Sequence, residues 1–124
     1  MNINEHLIMS EHLAETKDNR YNNSKTYKII SGIDQYFYIG STCTQLCKRL
    51  YVHKLRARLK QKSNLYQHFN KIGINHMNIS LIEEQCLDNK EQLRREEDMV
   101  IQYNFSNEFC LNMRRAFTTE EEKK

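Results

Sequence analysis

The sequence predicts an α+β fold, a small three-stranded antiparallel sheet flanked by helices in the order β-β-α-α-β-α. Three observations carry that prediction. Two runs rich in β-branched and aromatic residues, 26–30 and 36–39, flank the polar break Ser31-Gly32-Ile33-Asp34-Gln35, the pattern of a β-hairpin. Apolar residues then recur at helical spacing over two stretches. Finally, Met77, Ile79 and Leu81 alternate with polar neighbours and read as a third strand. A hairpin demands antiparallel pairing, which with the helices gives the class.

Each element has its own signals. Gly40-Ser41-Thr42 ends the second strand, and Thr42 or Thr44 can cap the helix expected over residues 44–60. On a helical wheel of about 100° per residue, Leu46, Leu50 and Ala57 fall on one side. Val52, Leu55 and Leu59 extend that apolar arc, while Arg49, His53, Arg56 and Lys60 share a separate one. A second helix spans 64–72, with Ser63 as cap, Leu65, Phe69 and Ile72 at i, i+4 and i+7, and Gly73 as stop. Asp88 and Glu91, at capping-box spacing, open a long helix through about residue 104. A short tail holds Cys110-Leu111-Asn112. Residues 1–24 are expected to be a polar appendage, its stretch Lys17-Asp18-Asn19-Arg20-Tyr21-Asn22-Asn23 reading as linker. The folded domain is expected over 25–115, with a charged tail over 116–124.

Composition narrows the function. The chain has 124 residues, 39% hydrophobic and 28% charged, with seven Tyr and five Phe, enough for a core and unlike a disordered or collagen-like chain. No apolar run approaches the roughly 18 residues of a spanning helix, and the polar start resembles no signal peptide. A soluble, intracellular protein, not secreted and without a membrane partner, is expected. Cys43, Cys47, Cys86 and Cys110 lack the spacing of a zinc ribbon or finger and read as reduced thiols. Cys43 and Cys47 would share one helical face.

The net charge of +3 hides an asymmetry. Between Asp34 and Glu83 no acidic residue occurs, while Lys48, Arg49, Lys54, Arg56, Arg58, Lys60, Lys62 and Lys71 all lie there. A positive surface of this kind suits a polyanion, because neutralising phosphates releases counterions. A solvated helix face is the plainer alternative.

One residue breaks the hydrophobic pattern. On the last helix Leu93, Glu97, Val100, Ile101 and Asn104 share a face, so Glu97 is a carboxylate inside an apolar stripe. Such a group must be neutralised, paired or metal-bound. A salt bridge to Arg94 or to an arginine of the first helix is one account, and a hard divalent cation is the other. Glu96 and Asp98 are expected at the surface. Tyr27 and Tyr38, on the two hairpin strands, are either packing partners or phenols able to move protons.

Taken in order, Tyr27, the triplet Tyr38-Ile39-Gly40, Lys48-Arg49 with His53 at i+4, Glu97 and Asn112 resemble the GIY-YIG nuclease family over about residues 25–115. Phe69-Asn70-Lys71-Ile72-Gly73 and Leu81-Ile82-Glu83-Glu84 also resemble stretches of members from mobile introns and large DNA viruses. One departure is the first triplet, Lys25-Thr26-Tyr27, which keeps the tyrosine and lacks the Gly and Ile. The resemblance implies a GIY-YIG-like fold and metal-dependent hydrolysis of DNA phosphodiesters. Glu97 would hold Mg²⁺ or Mn²⁺, and Arg49 would brace the phosphate. Tyr27 or Tyr38 would take a proton from the attacking water, with His53 as relay, and Asn112 would orient the phosphate or Glu97. Lys48, Lys54, Arg56, Lys60, Lys62 and Lys71 would contact DNA. A catalytically inactive nucleic-acid-binding module of the same fold is the second reading, and a protein-interaction domain the third. The short flanks are expected to carry no further DNA-reading module.

Overall fold

The hairpin forms where the sequence places it. β1 (Ser24–Ser31) and β2 (Phe37–Thr42) pair antiparallel, with Tyr27 opposite Gly40 and Ile29 opposite Tyr38. The computed structural model describes residues 19–117, so most of the predicted appendage and most of the 116–124 tail lie outside the described residues. β3 (Met77–Gln85) pairs antiparallel with the other side of β1, giving the order β2-β1-β3 with β1 central. A register shift sets Thr26 against Glu83 but Tyr27 against Leu81, leaving Ile82 as an extra residue. Met77 is buried and Ile79 partly so, yet Leu81, beside that bulge, is 45% exposed.

Helices cover both faces of the sheet. On one face Tyr27, Ile29 and Met77 pack with Ala57 of α1 (Leu46–Arg58) and Leu65 and Phe69 of α2 (Asn64–Ile72). On the other, Phe37 and Ile39 pack with Ile101 of α3 (Lys90–Asn104). Ser63 Oγ accepts from the Tyr66 N–H at 3.1 Å, and Gly73, at φ 112°, ends α2 as its lack of a Cβ allows.

Three local expectations are corrected. α1 begins at Leu46 after an N-cap Gln45 that makes no side-chain cap, because Thr42 Oγ1 instead accepts from the Thr44 N–H in the preceding turn. Cys43 therefore precedes the helix and shares no helical face with Cys47. The inward face of α1 is Leu46, Leu50, His53 and Ala57, whereas Leu55 and Leu59 are 40% and 64% exposed. A wheel drawn from hydrophobicity turns the helix too far, since it assigns buried His53 to the polar side. α3 is capped one residue later than expected: Asn89 Oδ1 accepts from the Gln92 N–H, and Gln92 Oε1 accepts from the Asp88 N–H, each at 2.9 Å.

Past α3 the chain returns along the outer edge of β2. The Phe37 N–H donates to Phe109 O at 3.0 Å, and the Leu111 N–H donates to Phe37 O at 2.7 Å. This strap covers β2 only as far as Ile39, leaving the Gly40–Thr42 end without a strand neighbour on that side among the described residues. Before β1, the stretch expected as linker contains a short 3-10 turn, Arg20–Asn23, held by the Leu87 N–H on Tyr21 O at 2.9 Å. Among the described residues no helix is long and apolar enough to cross a membrane.

Candidate active site

The open end of β2 is where the two layers meet. Tyr27 lies on the α1 face, fully buried, with its ring over Gly40 of the neighbouring strand. A Cβ on Gly40 would stand 2.5 Å from the ring Cζ, so close approach requires glycine here. Arg49 and His53, one turn apart on α1, reach the same phenol. Arg49 Nε donates to the Tyr27 oxygen at 3.0 Å, and His53 Nε2 lies 2.7 Å from it. On the far side of the imidazole, Nδ1 is 2.9 Å from Tyr66 Oη of α2.

The charges fix the direction of this chain of bonds. Burial, reinforced by Arg49 and Arg56, drives the His53 pKa down to about 3, so the ring is neutral and one nitrogen carries a lone pair. Arg49 occupies an acceptor position of the phenol oxygen, leaving Tyr27 to donate to His53 Nε2. His53 Nδ1–H then donates to Tyr66, an assignment made from the network. Burial raises the Tyr27 pKa further, with Arg49 pulling against it. Tyr38, half-buried beside them, has its ring centroid 5.9 Å from that of His53, and its pKa is raised by burial and then by Glu97.

Glu97 approaches from the other layer. It is 9% exposed, and Ser41, the residue after Gly40, donates a hydroxyl hydrogen bond to its Oε1. Burial raises its pKa against the pull of Ser41, Arg94 and Arg49. Among the described residues no cation forms an ion pair with it, so of the two accounts of Glu97 the salt bridge to Arg94 or an α1 arginine does not form. A cavity of about 270 Å³ is lined by Tyr27, Tyr38, Gly40, Arg49 and Glu97, among others. Four cations, Arg20, Arg49, Lys90 and Arg94, line the same cavity as this carboxylate.

Asn112 stands differently. Its Oδ1 accepts from the Ile39 N–H at 2.8 Å and its Nδ2 donates to Ile39 O at 2.9 Å, so both ends of the amide bond the β2 backbone. It fastens the strap next to Tyr38 and lines a second cavity that also contains Tyr38 and Glu97. Lys48, Lys54, Arg56, Lys60, Lys62 and Lys71 line neither cavity. Lys48, Lys60, Lys62 and Lys71 are exposed, Lys54 and Arg56 half-buried.

Sequence reasoning missed three residues. Ser41 could have been found from alternation, since it follows Ile39 by two on the strand and so shares the α3 face. Tyr66 carries no such signal. Asp98, expected at the surface, is instead 5% exposed. Its carboxylate takes Arg115 Nη2 at 2.8 Å and Nε at 3.2 Å, and accepts from the Ala116 N–H at 3.1 Å. The returning strap covers that flank of α3.

This constellation, on an antiparallel sheet packed between helices, defines a GIY-YIG domain. The chain belongs to that family: the model of the GIY-YIG catalytic domain matches residues 23–108. Two solved structures are similar. The catalytic domain of intron endonuclease I-TevI, in a point-mutant form, is 23% identical, covering 78% of this chain and 99% of its own at a TM-score of 0.65. The catalytic domain of homing endonuclease I-TevI is 25% identical, covering 73% and 98% at a TM-score of 0.61. The α+β class and its antiparallel sheet agree with theirs. No curated protein sequence matches the chain.

Proposed function

We propose that this chain is a DNA endonuclease that hydrolyses phosphodiester bonds with a divalent cation, Mg²⁺ or Mn²⁺. The observation that carries the reading is Glu97, a buried carboxylate with no ion-pair partner among the described residues, on the wall of a cavity shared with Arg49 and the two phenols. No group of three or more His, Cys, Asp or Glu gathers among the described residues. A lone carboxylate still fits a hard cation that takes its other ligands from substrate phosphate and water. When bound there, the cation would polarise the scissile phosphate and stabilise the departing 3′ oxygen.

The chain's own residues supply the rest. Arg49 spends Nε on Tyr27, leaving its two Nη groups to bind phosphate oxygens as negative charge builds. Of the two phenols, Tyr27 has an outlet for its proton, the neutral His53 at 2.7 Å, so we assign it as the base. It takes the proton of the attacking water as it passes its own to His53, and no phenolate accumulates. Because the ring is fully buried, water reaches the phenol oxygen only when the side chains around it shift on substrate binding. Burial, and then Arg49 and Arg56, oppose a charged His53, and the phosphate's negative charge offsets the repulsion from the two arginines. Tyr38 orients water or phosphate, and Asn112 acts at one remove by fixing β2.

The test is incubation of supercoiled, linear and branched DNA with the protein, with and without Mg²⁺ or Mn²⁺. Cutting that requires the cation, lost in Glu97→Ala while DNA binding persists, is the expected result. Binding without cutting of any topology would overturn the proposal in favour of an inactive binding module.

A further inference from the structure

The acid-free stretch suggests that DNA lies along α1, yet none of the six predicted contact residues lines either cavity beside Glu97. Apart from Arg49 of α1, the cations that do come from elsewhere. Arg20, in the turn before β1, and Lys90, at the start of α3, line the first cavity. Arg114, on the strap, lines the second, of about 290 Å³. Arg94 lines both, as do Tyr38 and Glu97, so the two cavities abut at those three side chains. Arg20, Lys90, Arg94 and Arg114 form no ion pair among the described residues. The neighbouring Arg95 is spent otherwise, 3.5 Å from Glu91 and stacked over Phe117.

Cations with no ion-pair partner among the described residues, on both sides of a buried carboxylate, are placed for a ligand that is anionic at regular intervals and longer than one cavity. We propose that the two cavities form one track for a DNA strand, with Arg94 on the phosphate nearest Glu97. Arg20 and Lys90 hold the backbone on one side, and Arg114 holds it on the other. This rests on the nuclease reading for the identity of the strand, but it assigns contacts that the basic α1 stretch does not. These are phosphate contacts, so they fix register without reading bases.

The experiment is fluorescence-anisotropy titration of a labelled duplex, without divalent cation, across a salt series. The variants are Arg20→Ala, Lys90→Ala, Arg94→Ala and Arg114→Ala, with Arg95→Ala as the charge-matched control. Each track variant is expected to weaken binding about fivefold or more and to flatten the log–log salt slope by about one. The control is expected to stay within about twofold, since Arg95 lines neither cavity. Track variants that bind no worse than Arg95→Ala overturn the proposal, even if the wild type cuts DNA. A wild type that binds with this pattern but never cuts sinks the nuclease reading and leaves the track standing. Absence of wild-type binding removes both.

Discussion

Gly40→Ala tests the geometry of the site through a single added methyl group. The new Cβ would stand 2.5 Å from Tyr27 Cζ, whereas carbon atoms pack at roughly 3.5–4.0 Å. The ring must retreat by about 1 Å or more, or β2 must move away by as much. Tyr27 is fully buried against Ile29, Ala57 and Phe69, so retreat means overpacking, at about 1–3 kcal/mol. It also stretches the 2.7 Å bond to His53 and the 3.0 Å bond from Arg49. A misplacement of about 1 Å in a reacting group can cost on the order of 100-fold in rate, or about 2.7 kcal/mol in the barrier. Urea unfolding reads the first effect, and single-turnover nicking of supercoiled DNA at saturating protein reads the second. A variant as stable as the wild type and as fast would refute the contact. One that is destabilised but equally fast would show that the Tyr27–His53–Arg49 geometry does not limit the chemistry.

Two further outcomes are expected. Asp98→Ala removes the acid that holds Arg115 and the backbone of the strap, leaving a partly buried guanidinium without its carboxylate, and should destabilise the fold by about 3 kcal/mol. Denaturant unfolding checks it, and a loss below about 0.5 kcal/mol would show that the strap is held by other contacts. For Glu97, burial raises the folded-state pKa above the ordinary carboxylate value of 4.5, so the folded protein binds that proton more tightly than the unfolded chain. The stability this contributes is fully present below the unfolded value and is lost as pH rises through the folded one. Glu97→Gln keeps an acceptor for Ser41, so in chelator it should raise Tm at neutral pH, with the gain fading as the pH is lowered toward 4.5. A lower Tm at neutral pH would contradict the account.

How far the sequence could be read depended on whether local signals agreed with tertiary ones. α2 was fully legible because Ser63, the Leu65-Phe69-Ile72 stripe and Gly73 all mark the same segment. The face of α1 was misdrawn because its inward side carries His53, whose polarity is satisfied by two tyrosines from other elements. Asp98 was misread for a related reason. Its partner Arg115 stands 17 residues on, and nothing local announces that the chain turns back over α3. The candidate site was more legible than the surface around it. Glu97 betrayed itself by breaking an apolar stripe, and the ordered set of polar residues carried the family resemblance. The cations of Arg20, Lys90 and Arg114 gave no such sign, since their convergence depends on how the 3-10 turn, α3 and the strap meet the open end of β2. Charge density along the chain pointed to α1, but charge around the cavities comes mostly from segments outside that stretch.

The central claim is that Glu97 is a cation ligand in a DNA-cleaving site, and electron paramagnetic resonance of Mn²⁺ tests it most directly. Manganese is titrated into the protein bound to a duplex with a non-hydrolysable phosphodiester, for the wild type and for Glu97→Gln. The account expects one tightly held Mn²⁺ per wild-type chain, absent from the variant although both bind the duplex. Equal Mn²⁺ occupancy in the two proteins would contradict it.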